Sequence, residues 1–357
     1  MNSAATLALT PLGKVYGVAM KARRALYRSG RFRVHELGAQ VISVGNLTTG
    51  GTGKTPLVEW IASELAQTGR RVCILTRGYG RRNASARVIV SDGNQIITDA
   101  AQAGDEPLLL AERLKGRAAV ISDADRIAAA RWALENLRSD VFILDDGFQH
   151  LRVARNLNIL TIDATNPWGN GKLLPAGVLR ESPTEIERAD CIVITRSDDP
   201  DASEVLQREI AALSKGRPVF SSRMKLSRLR AVQGNQVQPL TADEIKTSRI
   251  GAFCALGNPE SFFSLLRTSG FTLAHARAFR DHHLYSQKDI DLVVREASAR
   301  DAQVLLTTAK DEVKLRSLNL ELPCYTADIE IEIDNQEKLR ELIAGAVSKR
   351  RGLEFKL

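Results

Sequence analysis

The sequence has few cysteines, and their spacing does not suit a scaffold. The chain of 357 residues contains four, Cys73, Cys191, Cys254 and Cys324, which are far apart and form no Cys-x-x-Cys or Cys/His pattern. Disulfide frameworks and structural zinc sites depend on such patterns. A disulfide-rich secreted protein and a zinc-binding domain are therefore disfavoured, and the thiols are predicted to be reduced core residues in a cytosolic compartment.

Acidic residues are absent from the first 35 positions. This segment contains seven Lys and Arg residues and supplies +7 of the formal net charge of +8. The rest of the chain is almost neutral, although 26% of all residues are charged and 44% are hydrophobic. A nucleic-acid-binding domain carries its basic residues across its binding surface. The distribution predicts a globular protein with no nucleic-acid partner and with its excess charge in one N-terminal segment.

A long hydrophobic run is also missing from this segment. A helix that spans a bilayer needs about 20 predominantly apolar residues, and Pro11, Gly13, Lys14 and Gly17 interrupt the candidate stretch. The basic residues follow the apolar residues, whereas in a secretory signal they come first. We therefore expect neither a transmembrane helix nor a signal peptide, and a mitochondrial presequence is a minor alternative.

Residues 1–35 instead have the pattern of an amphipathic helix. At about 100° per residue, one face is apolar and the opposite face is basic. The apolar face comprises Leu12, Val15, Tyr16, Ala19, Ala22 and Leu26, and the basic face comprises Lys14, Lys21, Arg24 and Arg28. Such a helix binds the surface of an anionic membrane. The alternative is a helix that packs on the protein's own core, and the pattern alone leaves both open.

The remainder of the chain alternates short apolar runs with helical stretches, which predicts a doubly wound α/β sheet. The runs are continuous, as in strands that helices cover on both faces. They lie at residues 41–44, 72–75, 119–121, 141–144, 159–162 and 191–194. The pattern changes near residues 224–230. We predict three parts: a membrane-contact segment (1–35), a core (36–226) and a smaller C-terminal α/β lobe (227–357).

A glycine-rich loop follows the first predicted strand and precedes a predicted helix. Residues 45–56, GNLTTGGTGKTP, match the P-loop motif, except that Thr48 occupies the position of the first glycine. Backbone N–H groups of such loops bind phosphate oxygens, the lysine contacts the β- and γ-phosphates, and the following hydroxyl binds Mg²⁺. The predicted nucleotide-binding residues are Thr48, Thr49, Gly50, Gly51, Thr52, Gly53, Lys54 and Thr55.

Two carboxylates, Asp145 and Asp146, end the apolar run that begins at Val141. An acidic residue at the C-terminal end of a central strand lies beside the phosphate loop, where open α/β sheets bind their ligands. Both residues are therefore predicted Mg²⁺ ligands, directly or through water.

Seven motifs occur in order along the chain. They are SVGNLTTGGTGKTP (43–56), RGYGR (77–81), GDEP (104–107), DDGFQH (145–150), GNGKLLPAGVLRE (169–181), FRDHH (279–283) and TAKD (308–311). Together they resemble the tetraacyldisaccharide 4'-kinases, the lipid A kinases of Gram-negative bacteria. The resemblance covers most of the chain, and Thr48 in the phosphate loop is similar to the family's own variant of the motif.

The resemblance implies a P-loop NTPase-like kinase that uses ATP and Mg²⁺. The implied reaction phosphorylates the 4'-hydroxyl of a tetraacylated glucosamine disaccharide 1-phosphate in lipid A biosynthesis. The resemblance also implies a peripheral, monotopic enzyme on the cytoplasmic face of the bacterial inner membrane, and it thereby favours membrane contact by the N-terminal helix. No protein partner is inferred.

The resemblance further implies roles for individual residues in the transfer. Asp105 is expected to be the general base, with His282 behind it and Lys54 on the nucleotide. The match does not exclude His283 in place of His282. The alternative for Asp105 is a helix N-cap.

Glu181 is expected to complete the metal shell, unless it forms a structural ion pair with Arg180. The residues expected to contact the substrate phosphates are Arg77, Tyr79, Arg81, Gln149, His150 and Arg180.

Two other classes of P-loop protein remain as alternatives. Partner-switching ATPases at membranes share the Gly-Gly-x-Gly-Lys-Thr loop, but they carry a signature lysine where this chain has Thr49. Small GTPases have Thr-Lys-x-Asp after a late strand, where residues 195–198 read TRSD. Neither class accounts for residues 169–181 or for the Asp-His-His turn, so the kinase hypothesis is favoured.

Overall fold

The structure, a computed structural model, describes residues 3–78, 81–232 and 240–348, which form twelve strands and eleven α-helices. The strands are β1 (Gln40–Asn46), β2 (Val72–Thr76), β3 (Val88–Ser91), β4 (Ala118–Ser122), β5 (Val141–Asp145), β6 (Leu157–Asp163), β7 (Cys191–Thr195), β8 (Val219–Ala231), β9 (Arg249–Cys254), β10 (Thr272–Ala278), β11 (Val304–Thr308) and β12 (Cys324–Ile333). The helices are α1 (Ser3–Arg28), α2 (Lys54–Gln67), α3 (Ala100–Ala103), α4 (Asp105–Arg113), α5 (Arg126–Leu137), α6 (Pro200–Ser214), α7 (Ala242–Thr247), α8 (Pro259–Thr268), α9 (Gln287–Ser298), α10 (Ala309–Glu312) and α11 (Gln336–Ser348). A 3₁₀-helix covers Pro183–Arg188.

The strands form one sheet in the order β10-β9-β11-β12-β8-β7-β6-β1-β5-β2-β4-β3. Neighbouring strands are parallel except at the edge pair β3–β4 and at the pair β8–β12. Helices cover both faces of such a sheet, and β2, β4, β5, β6 and β7 are buried along their whole length. The predicted fold class, a doubly wound and mostly parallel sheet, is confirmed.

Each of the six apolar runs in the sequence is a strand, and every one of these strands extends one to three residues beyond its run. The short edge strand β3 was not predicted. Only two of its four residues are buried, so it lacks the continuous apolar character of the central strands.

Strand β8 joins the two halves of the sheet. Its first residues pair with β7 and the rest of its length pairs with β12, so the predicted boundary between residues 226 and 227 falls inside this strand. Helix α11 then returns to the first half, where Leu339 and Ile343 pack in the same buried cluster as Ile42 and Leu57. The division into three parts stays a prediction, and residues 336–348 pack with the core of the first half.

Helix α1 contacts the body through its glycines. A Cβ added to Gly13 would lie 3.2 Å from the backbone oxygen of Leu173, and one added to Gly17 would lie 2.6 Å from its Cδ1 atom. Because these two glycines have no side chain, α1 can pack closely against the loop that contains Leu173. Leu12 and Val15, both on the predicted apolar face, are 56% and 67% exposed. Among the described residues, no helix has the length and apolar character needed to cross a bilayer.

Two basic residues of α1 face the body. Arg24 forms an ion pair with the buried Glu185, and Nη1 of Arg23 donates to the backbone oxygen of Gln149 at 3.2 Å. The prediction that Arg24 belongs to an outward basic face was wrong, because a buried carboxylate attracts it. The other three members of that face are exposed.

The position of α11 gives a test of the core. Replacing Ile343 by Ala removes a buried side chain from the cluster around β1, and we expect the free energy of unfolding to fall by about 2–5 kcal/mol. Denaturant unfolding measures this change. The control variant Glu341→Ala lies on the exposed side of the same helix and is expected to change stability by less than about 0.5 kcal/mol. Equal effects of the two variants would contradict the packing described.

Candidate active site

The phosphate loop connects the end of β1 at Asn46 with the start of α2 at Lys54. Gly53 has a φ of 71°, and a Cβ at this position would lie 3.2 Å from Cβ of Thr195, so a glycine is required. No side chain caps the start of α2, which leaves its first N–H groups available. Loop and helix terminus together form a site for phosphate oxygens.

Hydrogen bonds fix the phosphate loop in this conformation. Nδ2 of Asn46 donates to the backbone oxygen of Thr48 at 2.8 Å, and Oγ1 of Thr195 donates to the backbone oxygen of Thr52 at 2.9 Å. Neither donor was assigned a role from the sequence, although Asn46 lies within the predicted loop, residues 45–56. The loop is therefore held from β1 and from β7.

Lys54 lies between an amide and a carboxylate. Its Nζ donates to Oδ1 of Asn46 at 3.1 Å and lies 3.6 Å from Oδ1 of Asp146. The ammonium group is thus positioned beside the glycines of the loop, where the lysine of a P-loop contacts phosphates.

Parallel pairing of β1 with β5 brings the acidic pair, Asp145 and Asp146, beside the phosphate loop. Val44 lies opposite Asp145 in the register. Asp145 is buried and accepts a hydrogen bond from Oγ1 of Thr76 at 3.0 Å. Burial, together with the negative charges of Glu106 and Asp146, raises the pKa of Asp145 to about 6. A cation bound nearby would stabilise its ionised form.

The negative charge of Asp146 has nearer cationic partners than that of Asp145. Its backbone is left-handed, with a φ of 54°, and its Oδ2 accepts a hydrogen bond from Nη1 of Arg180 at 2.7 Å. Burial alone would raise the pKa of Asp146, but the charges of Lys54 and Arg180 lower it below the ordinary value. Asp146 is therefore ionised, and it links Arg180 to the phosphate-loop lysine.

The chemistry of these donors fits Mg²⁺. The described residues contain no group of three or more His, Cys, Asp or Glu that could hold a metal by itself. Mg²⁺ at phosphoryl-transfer sites needs only one or two carboxylates besides phosphate oxygens and water. Thr55, Asp145 and Asp146 meet that requirement, and Oδ1 of Asp146 is buried without a hydrogen bond.

A second polar group pairs residues from the two halves of the chain. Asp105 begins α4, and His282 lies between β10 and α9. Nδ1 of His282 is 3.2 Å from Oδ2 of Asp105, across 177 positions of sequence. His282 lines the same cavity as the phosphate loop, whereas Asp105 is not part of the lining. The prediction that Asp105 is the general base, with His282 behind it, stays a prediction.

Two lysines complete this group, and no role was predicted for either of them from the sequence. Nζ of Lys314 lies 3.0 Å from Oδ2 of Asp105, and Nζ of Lys310 lies 3.1 Å from Oε1 of Glu106. Burial alone would raise the pKa of Asp105, but the hydrogen bond from His282 and the charge of Lys314 lower it well below its usual range. Asp105 is therefore a carboxylate that accepts the Nδ1 proton of His282.

His283 has different partners. Its Nε2 lies 3.2 Å from Oδ2 of Asp289, and its ring stacks on Phe279 with a centroid distance of 4.8 Å. Of the two adjacent histidines, the structure brings His282 to Asp105.

The phosphate loop, the acidic pair and His282 line one cavity of about 1890 Å³. Ordinary small-molecule sites have volumes of about 300–1,000 Å³, so this cavity has room for a nucleotide and a second, bulky substrate. Four of the residues expected to contact substrate are in the lining, namely Arg77, Gln149, His150 and Arg180. Helix α1 also lines the cavity, through Tyr16, Met20 and Arg23.

Residues 5–348 match the family model of tetraacyldisaccharide-1-P 4'-kinase. The chain belongs to this family. A tetraacyldisaccharide 4'-kinase from Desulfotalea psychrophila is 41% identical over 319 residues, which cover 89% of this chain and 90% of that protein. A second, from Geobacter metallireducens, is 41% identical over 336 residues and covers 94% of this chain and 96% of its own length.

The fold also matches a solved structure of this family. The crystal structure of LpxK from Aquifex aeolicus, in complex with ATP, is 32% identical, with a TM-score of 0.76, and the match covers 96% of this chain and 99% of that one. The family predicted from the seven motifs is therefore confirmed.

Two predicted site residues of the kinase have other partners in the structure. Arg81 is buried, and its Nη1 donates to the backbone oxygens of Ala86 at 2.6 Å and Ser122 at 2.8 Å. It therefore stabilises the turn before β3 and does not line the cavity, contrary to the prediction. Glu181 forms an ion pair with Arg188 instead of Arg180, and it too is not part of the lining. Tyr79 is outside the described residues.

His150 is surrounded by cations. Burial, with the positive charges of Arg126, Arg155, Arg152 and Arg23, lowers the pKa of His150 to about 4. The imidazole is therefore neutral near pH 7.

The adjacent histidines provide a matched test of the Asp105–His282 pair. We expect His282→Gln to lower kcat by about 10²–10⁴-fold, the usual contribution of proton transfer by a positioned side chain. His283→Gln removes a ring that contacts Asp289, and we expect less than about a tenfold loss. Steady-state kinetics with saturating ATP and acceptor measure both.

Residues that act as one unit have non-additive effects. The double variant Asp105→Asn/His282→Gln should therefore fall no more than about threefold below His282→Gln alone. Additive losses, or an equal loss in His283→Gln, would contradict the joint role.

Proposed function

We propose that this protein transfers the γ-phosphoryl group of ATP to the 4'-hydroxyl of a tetraacylated glucosamine disaccharide 1-phosphate. One observation carries the proposal. The phosphate loop and the acidic pair share a single cavity with His282, the partner of Asp105, and this cavity has room for two substrates. Membership of the kinase family supports it, as does the ATP bound to the Aquifex aeolicus relative. A protein that only switches partners would need the first group and not the second.

The chain's own residues position the nucleotide. Backbone N–H groups of Gly51 and Gly53 and the start of α2 bind the β- and γ-phosphates, and Lys54 leaves Asn46 to contact the same oxygens. Thr55 and the acidic pair would hold Mg²⁺, which would neutralise the charge of the phosphates. Arg180, already 2.7 Å from Asp146, adds a further cation at the transferred group.

The proton of the attacking hydroxyl needs an acceptor in the cavity. Asp105 accepts the Nδ1 proton of His282 and holds this tautomer, so Nε2 carries the lone pair that takes the proton. Lys310, whose Nζ lies 3.5 Å from this Nε2, must turn toward a phosphate for the hydroxyl to enter. Asp105 is thus a positioning residue in this proposal, and Asp105→Asn should retain more activity than His282→Gln.

The decisive experiment uses γ-labelled ATP, Mg²⁺ and the disaccharide 1-phosphate dispersed in detergent. We expect a labelled lipid whose formation requires the acceptor and is lost in Lys54→Ala. ATP hydrolysis that is independent of the acceptor, with no labelled lipid, would favour the ATPase or GTPase alternative and refute the kinase.

We further propose that α1 attaches the enzyme to the cytoplasmic face of the inner membrane. Leu12, Val15 and Val18 are 56%, 67% and 68% exposed, which is unusual for neighbouring apolar side chains on one helix. Lys14 and Lys21 are exposed on the same helix, and cations near an anionic surface each contribute about 1 kcal/mol. Apolar insertion and charge attraction are therefore both available to α1.

Membrane attachment by α1 can be tested with a matched pair of substitutions. Val15→Glu places a charge where an apolar side chain would enter the bilayer, and we expect at least about a tenfold loss of affinity for anionic vesicles. Val205→Glu is the control, because Val205 is 65% exposed on α6. Vesicle co-sedimentation measures both. Unchanged binding of Val15→Glu, or equal losses in both variants, would place the contact elsewhere.

A further inference from the structure

A buried lysine and His282 contact the same carboxylate oxygen. Nζ of Lys314 lies 3.0 Å from Oδ2 of Asp105, and Nδ1 of His282 lies 3.2 Å from that oxygen. The side chain of Lys314 is only 5% exposed, and the residue is not part of the cavity lining. Lys314 is therefore too deep to bind a substrate, and it can influence the reaction through Asp105.

A second carboxylate, that of Asp311, fixes the position of Lys314. Oδ1 of Asp311 lies 3.6 Å from Nζ of Lys314. Oδ2 of Asp311 accepts hydrogen bonds from the backbone N–H of Ala255 at 3.0 Å and from Oγ1 of Thr308 at 2.7 Å. Asp311 is fully buried, and these bonds anchor it to the ends of β9 and β11. The ammonium group is thus held in place from the sheet.

The charge of Asp105 creates a conflict that a cation can resolve. A carboxylate close to an imidazole stabilises the protonated form of the ring. If His282 is protonated, both of its ring nitrogens are donors, and Nε2 cannot take a proton from a hydroxyl. Asp105 must therefore lie close enough to orient His282, while its negative charge must be partly offset.

The other described charges beside His282 do not provide this offset. Nζ of Lys310 lies 3.5 Å from Nε2 of His282. The same Nζ atom lies 3.1 Å from Oε1 of Glu106 and 3.2 Å from Oδ1 of Asp281, and Oδ1 of Asp281 is itself 3.9 Å from Nε2. This group contains one positive and two negative charges, so it adds to the negative charge around the imidazole.

We propose that Lys314 is a positioning residue that acts through Asp105. Its ammonium group offsets the charge of the carboxylate, so that Asp105 accepts the Nδ1 proton of His282 without also holding a proton on Nε2. This inference rests on the proposed function, in which Nε2 of His282 takes the proton of the acceptor hydroxyl. The buried lysine thereby keeps the base unprotonated when the acceptor binds.

The pH dependence of Lys314→Met tests this role, because methionine has a similar length and no charge. We expect the acid limb of the profile of kcat/KM for the acceptor to move to higher pH by about 0.5–2 units, the range for removal of a unit charge a few ångströms from the imidazole. The shift has this sign because the uncompensated carboxylate holds the proton on His282 more strongly. On the acid limb kcat/KM should fall about threefold to a hundredfold, and the loss should shrink as the pH rises.

Two further variants serve as controls. Lys314→Arg keeps the positive charge, and its acid limb should lie closer to that of the wild type than the limb of Lys314→Met. Lys288→Met removes the same group from an exposed position on α9, where solvent screens the charge, and its profile should be unchanged. A loss in Lys314→Met that is equal at every pH would overturn the proposal in favour of a purely structural role, as would equal shifts in Lys314→Met and Lys288→Met.

Loss of one member of a buried ion pair can prevent folding, so a second comparison starts from Asp105→Asn, with thermal unfolding to verify that each variant is folded. The charge that Lys314 offsets is already absent from Asp105→Asn. Adding Lys314→Met should therefore change the maximal kcat by less than about threefold. A further loss of tenfold or more would contradict action through Asp105.

Failure of this inference can be told apart from failure of the proposed function. Should the wild type form no labelled lipid, the proposed function fails, and this inference fails with it. Should the wild type form labelled lipid while a folded Lys314→Met keeps the wild-type pH profile, only this inference fails.

Discussion

Parallel pairing of β1 with β5 is the constraint on which the site depends. It sets Val44 opposite Asp145, so the phosphate loop and the acidic pair leave the sheet side by side. Lys54 then lies 3.6 Å from Asp146 while still bound to the strand end at Asn46. A slip of one residue would turn the side chains of β5 to the opposite face. The buried apolar residues of both strands enforce the register, and the register positions the charges.

Electrostatic contacts join the second half of the chain to this centre. Lys314 lies 3.0 Å from Asp105 and Lys310 lies 3.1 Å from Glu106, with lysine side chains only 5% and 12% exposed. Removing one member of a buried pair leaves an uncompensated charge and costs more than the pair contributes. The contact between His282 and Asp105 is therefore embedded in a network that favours one relative position of α4 and the loop after β10.

Local patterns in the sequence predicted the central strands and the phosphate loop, because apolar runs and glycine spacing are properties of neighbouring residues. The partners of Arg81 and Arg24 could not be predicted in this way. Arg81 bonds to backbone oxygens of a turn and of β4, and Arg24 to a carboxylate 161 positions away. The packing face of α1 was also missed, because hydrophobic periodicity assigns no weight to Gly13 and Gly17, although their missing side chains are what allow the contact.

The charge of the N-terminal segment divides into two sets once the fold is known. Arg23 and Arg24 turn inward, whereas Lys14, Lys21 and Arg28 are exposed. Counting charges along the sequence cannot separate them, since they alternate within single helical turns. In the proposed enzyme the outward set binds the anionic surface, and Arg23 reaches the cavity from the same rigid helix. In the proposed enzyme, helix α1 would therefore both attach the protein to the membrane and line the cavity that receives the acceptor.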